Sequence, residues 1–417
     1  MKILFVHQNF PAQYRHIVQA LVQQGGHEIV ALSMNQGGQI PGVSIIRHGA
    51  NIGKPSTHPY LSLYEDNIQR GHSTAMALEV LRERGFFPDI ICAHPGWGEA
   101  LFLKAVFPSA KLLCYQEFYY RASGSDVDFD PEYMPTSKDY VLTTTLRNST
   151  ILQSLAQADF NVSPTRWQKV QFPELFQSRI KVLHDGIDTD LVRPDPEAFI
   201  EFKETGKRLT ARDEVITFVN RNLEPYRGFH TFMRTLPALL RARPTAQVLI
   251  VGGDEVSYGR PLAQGQTYRQ KYMAEVGEFL DMERVHFVGK IPYPVFLNML
   301  QVSAVHVYLT YPFVLSWSLL EAMSAGCAIV GSSTPPVTEV MRHEENGLLV
   351  DFFSPDQIVA AVERVLQHPD RMADMRARAR QFVVKHYDLK RICLPAHLDL
   401  ISRVATAKSL QDLDLLV

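Results

Sequence analysis

The sequence predicts an α/β protein built as two doubly wound domains in tandem. A chain of 417 residues exceeds what one ordinary hydrophobic core organises. Short β-rich runs also alternate with helical segments in two successive series, the pattern of parallel sheets with helices on both faces. In the first series "KILFVHQ" reads as a buried strand and "AQYRHIVQALVQQGG" as a helix stopped by Gly25 and Gly26. "HEIVALS", "PDIICAH" and "AKLLCYQ" follow as strands, with "GWGEALFLKAVFP" expected as a helix between the last two. The second series opens near residue 213 with the strand "DEVITFVN" and the helix "FHTFMRTLPALLRARP". "AQVLIVGG", "VHFVGK", "AVHVYLT" and "CAIVGSS" are its further strands, and "YRQKYMAEVGEFLD" and "PDQIVAAVERVLQH" its further helices. The Gly, Asp and Pro of "HDGIDTDLVRPDP" mark the linker, which sets domains of 1–186 and 187–385.

Composition excludes several classes. A formal net charge of −2 argues against nucleic acid as a main partner. The four cysteines, Cys92, Cys114, Cys327 and Cys393, lie scattered in or beside apolar runs, as reduced core residues of a cytoplasmic protein would. Met1 and Lys2 lead straight into "ILFV", so no secretory signal is expected. No apolar run is long enough to span a bilayer.

Ligands of open α/β sheets bind beyond the carboxyl ends of the strands. One such end is "VYLTYPFVLSWSLLEAMSAGCAIVGSS", Val307 to Ser333, whose only charge is Glu321. Pro312 ends the strand, Ser316 or Ser318 caps a helix, and Gly326 stops it. The helix N-terminus favours a phosphate. Glu321 is either a solvated helix-face carboxylate or an acceptor for ligand hydroxyls. Another strand end is "NRNLEPYRGF", with Arg221 and Arg227. These are either solvated arginines or planar forks for phosphate oxygens. Taken together, the cations and helix N-terminus suit a diphosphate, and the carboxylate suits a ribose diol.

With these motifs the chain resembles the retaining, sugar-nucleotide-dependent glycosyltransferases of family four, which have the GT-B fold. The family's "GR…KG" segment is matched by Asn220, Arg221, Arg227 and Gly228. "LLEAMSAG" matches the end of its E-x7-E element, "VHFVGKI" its nucleotide-base loop, "LHDGIDTDLVRP" its linker and "ENGLLV" a later motif. The resemblance implies two Rossmann-like domains facing across a cleft, with residues 386–417 crossing back onto the first. It implies that Arg221 and Arg227 hold the diphosphate and stabilise the leaving nucleotide. It sets Asn220, Gly289, Lys290, Ser316, Leu320 and Glu321 about the nucleotide sugar, Glu321 on the ribose. The donor is expected to be UDP- or GDP-linked and the acceptor a glycan or a lipid-linked hydroxyl, in surface polysaccharide or glycolipid synthesis.

The chain departs from the pattern in places. The first Glu of the family's pair falls on Phe313, which cannot accept a hydrogen bond. Where many members carry a His that meets the donor sugar, "YQEFYYR" brings Glu117. "PDIICAHPGWGE" resembles the family's "PDVVHAH", with Cys92 at the first His and His94 at the second. His94 is either a satisfied strand-end histidine or, with Glu117, part of the catalytic group. His7, Asn9 and Arg15 stand where the usual Gly-Gly is absent and are assigned to the acceptor side.

The mechanism implied is front-face transfer with retention, in which the leaving phosphate takes the acceptor's proton. Such a site must position substrates and neutralise charge rather than supply a nucleophile. No cofactor or metal is expected; Asp126, Asp128 and Asp130 of "GSDVDFD" read as an acceptor-side or solvated loop. A dinucleotide oxidoreductase is disfavoured because G-x-G-x-x-G is missing from "ILFVHQNFPAQYRH" and misspaced in "VGGDEVSYG". A GT-B epimerase and a sugar-nucleotide binder without catalysis remain as alternatives. "SPTRWQKVQFPELFQSRIKV" mixes Arg166, Lys169, Arg179 and Lys181 with Trp167, Phe172 and Phe176. It reads as core aromatics under a solvated basic face, or as a weak peripheral contact with the inner membrane face.

Overall fold

The computed structural model describes residues 1–54, 56–134, 139–202 and 206–416. The chain forms two compact units, Met1–Gly186 with Lys390–Val417, and Ile187–Leu389.

Unit 1 is a parallel seven-stranded sheet in the order β3-β2-β1-β4-β5-β6-β7. The strands are β1 (Lys2–Val6), β2 (Glu28–Ser33), β3 (Ser44–Arg47), β4 (Ile90–Ala93), β5 (Lys111–Tyr115), β6 (Phe160–Ser163) and β7 (Ile180–Val182). The central strands are apolar throughout because both faces are covered. Ile3, Phe5, Cys92 and Leu113 pack on one face with Ile17, Val18 and Leu21. Leu4, Val6, Ile91 and Leu112 pack on the other with Ala75, Leu78 and Leu81 of the helix Ser62–Glu83. The helix Leu394–Thr406 joins the first of these cores through Leu400, Ile401 and Val404, so the C-terminal segment completes unit 1.

Unit 2 is a parallel six-stranded sheet in the order β12-β11-β10-β13-β14-β15 beside a hairpin of β8 (Phe199–Glu201) and β9 (Arg208–Thr210). The sheet strands are β10 (Val215–Asn222), β11 (Gln247–Gly253), β12 (Val285–Gly289), β13 (Val305–Tyr308), β14 (Ala328–Ser332) and β15 (Leu348–Val350). Its register is parallel throughout, with Phe218 opposite both Ile250 and Val307.

One local expectation fails for a physical reason. "GWGEALFLKAVFP" is helical only at Leu103–Val106. Gly98 takes φ 102°, and a Cβ there would lie 2.2 Å from the Asn67 carbonyl oxygen, so the segment folds as a tight loop against the helix Ser62–Glu83. In the C-terminal run the helix Ala373–Tyr387 ends at Asp388. The Asp388 carboxylate accepts from the Thr189 hydroxyl and its backbone bridges to Ile187. Pro395 sits in the first turn of the next helix, where its missing N–H leaves nothing unpaired. The four cysteines are buried, and none forms a disulfide among the described residues. Among the described residues no helix is long and apolar enough to cross a membrane.

Candidate functional site

In unit 2 the polar residues gather after β10 and β13. Arg221 is exposed near the end of β10. Arg227 is 5% exposed. Its Nη1 donates to Thr310 Oγ1 at 2.7 Å and to the Val314 carbonyl at 2.9 Å, which fixes the loop between β13 and the helix Trp317–Ala325. Burial works against its charge, but the surrounding Tyr308, Tyr258 and Glu224 more than offset that and raise its pKa. Gly228 lets the chain turn here: it takes φ 70°, and a Cβ would lie 2.3 Å from Leu309 Cβ.

Glu224, between the arginines, is 1% exposed. Its carboxylate accepts from the backbone N–H groups of Ser257, Tyr258 and Gly259 at 3.2, 3.1 and 2.9 Å. That anchors the loop carrying Tyr258, whose ring lies 5.3 Å from the Arg227 guanidinium. Phe313 is 4% exposed and packs edge-on to Tyr226 and Tyr258. An aromatic cluster therefore occupies the position where a carboxylate was expected from the resemblance.

The helix Trp317–Ala325 is capped by Ser316, whose Oγ accepts from Ser318 N–H and whose own N–H donates to the Tyr308 hydroxyl at 2.9 Å. Gly326 ends it in the left-handed conformation. Glu321 is half-buried, and its Oε1 accepts from the Tyr293 hydroxyl at 2.7 Å. Burial raises the Glu321 pKa, while the Tyr293 hydrogen bond works in the opposite sense. Leu320 is a core residue with its side chain fully buried, so its side chain cannot line a ligand site. Asn220 is half-buried, and its Nδ2 has no partner among the described residues. Gly289 ends β12 with φ 66°, and Lys290 pairs with Glu255 at 2.8 Å.

In unit 1 the strand ends of β1, β4 and β5 bring together His7, His94 and Glu117. Both histidines are 2% exposed. Their rings meet at 5.0 Å, and His94 is stacked on Trp97 at 4.5 Å. Each Nδ1 accepts a backbone N–H two residues on, from Asn9 at 2.8 Å and from Gly96 at 3.2 Å. Burial, with His94 alongside, lowers the His7 pKa to about 2. Direct ligand contact by either ring, as the sequence suggested, is blocked by this burial. Asn9 is exposed and accepts from Asn35, while Arg15 is exposed at the start of its helix. Asp126 and Asp130 are buried rather than solvated, and Asp128 accepts from the Gly124 N–H.

Sequence reasoning missed Tyr293, Glu224 and Glu99. Glu99 is fully buried with both carboxyl oxygens unpartnered among the described residues, and burial raises its pKa. Its one visible signal was a charge inside the glycine-rich "GWGEALF".

The comparisons with known proteins agree with this layout. Residues 25–192 match the family model described as Glycosyl transferase family 4 group, and residues 200–382 the one described as Glycosyl transferases group 1. The chain belongs to the group 1 glycosyltransferases. The GDP-mannose-dependent alpha-(1-6)-phosphatidylinositol monomannoside mannosyltransferase of Mycobacterium tuberculosis is 28% identical over 233 residues, covering 50% of this chain and 52% of that protein. The D-inositol 3-phosphate glycosyltransferase of Thermobispora bispora is 25% identical over 230 residues, covering 53% and 51%. The matched part spans about half the length of these curated relatives. The fold is GT-B: sucrose-phosphate synthase from Thermosynechococcus elongatus superposes with a TM-score of 0.74 over 98% of this chain and 100% of that one, at 18% identity. HepE from Anabaena, solved with UDP and glucose, gives 0.68 over 96% and 100%, at 15% identity.

Proposed function

We propose that the protein transfers a sugar from a nucleoside-diphosphate sugar to a hydroxyl acceptor, with retention and without a metal. The observation that carries this reading is Arg227: a charged guanidinium, buried, and tied to the loop that leads into the helix Trp317–Ala325. A fixed cation beside a helix N-terminus neutralises a departing diphosphate without reorganising at the moment of reaction. Arg221 supplies a second cation and Glu321 an acceptor for ribose hydroxyls. In this reading exposed Arg221 and the first-turn N–H groups bind the diphosphate, and the buried Arg227 charge lies behind the loop they share. The acceptor's proton passes to the leaving phosphate oxygen as the new glycosidic bond forms on the same face.

The M. tuberculosis relative is named for GDP-mannose and a phosphatidylinositol mannoside, and the Anabaena structure holds UDP. These names support a GDP- or UDP-linked donor and a glycolipid acceptor. Incubation with UDP-, GDP- and ADP-sugars, with and without glycan and glycolipid acceptors, tests it. Acceptor-dependent release of a nucleoside diphosphate supports transfer. Interconversion of the free sugar nucleotide would favour an epimerase, and binding without turnover a non-catalytic role.

A further inference from the structure

We propose that unit 1 holds one internal water molecule as a resident ligand, bound by Tyr14, Gln13 and Asp185. The site uses none of the residues assigned to the nucleotide sugar. A cavity of about 20 Å³ lies among Gln13, Tyr14, Tyr115, Val162, Asp185 and His397, all of them in unit 1. A water needs roughly 10–15 Å³ of such space and about two to four polar partners.

The polar partners are present. Tyr14 is 5% exposed, and its hydroxyl has no hydrogen-bond partner among the described residues. Its ring packs on Phe5 at 5.1 Å and edge-on to His7 at 6.1 Å, which holds the hydroxyl in place. Burial, with Cys92, Cys114 and Asp185 nearby, raises the Tyr14 pKa, so the hydroxyl keeps its proton and remains a donor. Gln13, the preceding residue, has a buried Oε1 that likewise lacks a donor among the described residues. Asp185 accepts from the Tyr115 hydroxyl at 3.0 Å, and a carboxylate takes more than one such bond. A water that accepts from Tyr14 and donates to Asp185 and to Gln13 Oε1 leaves neither Tyr14 nor Gln13 unpaired. Leaving such groups unpaired costs more than immobilising one water.

The place of the cavity gives the water a structural task. Gln13 and Tyr14 belong to the turn Ala12–Tyr14, between β1 and the helix Arg15–Gln24. Asp185 stands next to Gly186, at which the first stretch of unit 1 ends. His397, on the helix Leu394–Thr406, lines another side, and its Nε2 donates to the His184 carbonyl at 3.2 Å. The water thus joins the turn after β1 to the segment by which the chain leaves unit 1.

The test uses the full chain and Tyr14→Phe, which keeps the ring and its packing and removes only the hydroxyl. A crystal structure of the wild type is expected to show one ordered water within about 3.2 Å of both Tyr14 Oη and the Asp185 carboxylate. In urea unfolding Tyr14→Phe should lower the folding equilibrium constant about 2- to 10-fold, the range for losing one made hydrogen bond. Amide exchange of residues 183–186 should quicken in the same variant. A folding constant for Tyr14→Phe equal to or above that of the wild type shows that the hydroxyl is unpaired, and overturns the proposal. A wild-type crystal structure without density in the cavity overturns it as well. Replacing sodium and potassium by choline should leave wild-type stability unchanged; a requirement for either small ion assigns the site to a cation and overturns its assignment to water.

Discussion

Arg227 and Arg221 were read from one motif, yet the structure gives them different burdens, and truncating each should separate structure from chemistry. Arg227→Ala removes two charge-assisted hydrogen bonds from a buried site, to Thr310 Oγ1 and the Val314 carbonyl. At about 1.5–3 kcal/mol each, the folded state loses about 3–6 kcal/mol before relaxation. Arg221 is exposed, so Arg221→Ala should change stability by less than about 0.5 kcal/mol. If both cations act on the leaving diphosphate, each truncation also lowers kcat by about 10² or more, the scale of one preorganised electrostatic contact. Arg227→Lys keeps the charge but loses the planar fork, and should fall between the alanine variant and wild type in both measures. Urea unfolding followed by near-UV circular dichroism reads the first quantity, and nucleotide release at saturating donor, at a temperature where every variant is folded, reads the second. The reasoning is refuted if Arg227→Ala unfolds at the wild-type midpoint, or if Arg221→Ala keeps kcat within a few-fold.

Three further outcomes follow from the same geometry. Glu321 must be ionised to accept two ribose hydroxyls, and burial raises its pKa, so nucleotide affinity should fall on acidification at a pH above the usual carboxylate range. Tyr293→Phe removes a hydrogen bond that opposes this rise and should move that midpoint higher still; calorimetry at stepped pH that finds it unmoved would exclude the Tyr293 role. Burial lowers the pKa of His7 to about 2, of His184 and His306 to about 3, and of His397 to about 4. The unfolded chain protonates these groups near pH 6.5 and the folded chain does not, so stability falls as pH drops from about 6.5, by up to about 1.4 kcal/mol per unit per histidine. A urea midpoint that stays flat between pH 7 and pH 5 would contradict this. Glu99 has the opposite sign: burial raises its pKa in the folded chain, so stability falls as pH rises through the interval between its unfolded and folded values. Glu99→Gln should therefore raise the midpoint at pH 7, and a lowered midpoint would show that the charged carboxylate is needed.

The tandem α/β plan was legible because parallel strands buried on both faces leave long apolar runs, as in "ILFV" and "VLIV". Helix limits set by local chemistry were legible too: Ser316 caps and Gly326 ends the helix that carries Glu321. The loop at Gly96–Phe102 was not, because its conformation is dictated by the close approach of Gly98 to Asn67, which lies on a different element far away in sequence. The helix Ser62–Glu83 escaped for a related reason: it buries polar Asn67, Arg70 and Thr74 with its leucines, which blurs the apolar stripe. In the site, residue types announced the charges but not their partners. Nothing in "NLEPYR" distinguishes a solvated Glu224 from one that anchors three backbone amides, and nothing in "IPYP" points Tyr293 at Glu321. His94 shows the same limit in reverse. Its position after β4 was readable, but its burial is a property of the packing of Trp97 and Tyr115.

The central claim is that unit 2 holds a nucleoside diphosphate through Arg221, Arg227 and Glu321. Isothermal titration of the wild-type protein and of Glu321→Gln with UDP and with GDP tests it most directly. The account predicts saturable binding of at least one of the two at one site per chain. It predicts that Glu321→Gln weakens this binding by about 1.5–3 kcal/mol, the value of a charged hydrogen bond, with helix content unchanged. Equal affinity in wild type and Glu321→Gln, or no binding of either nucleotide at millimolar concentration, would contradict it.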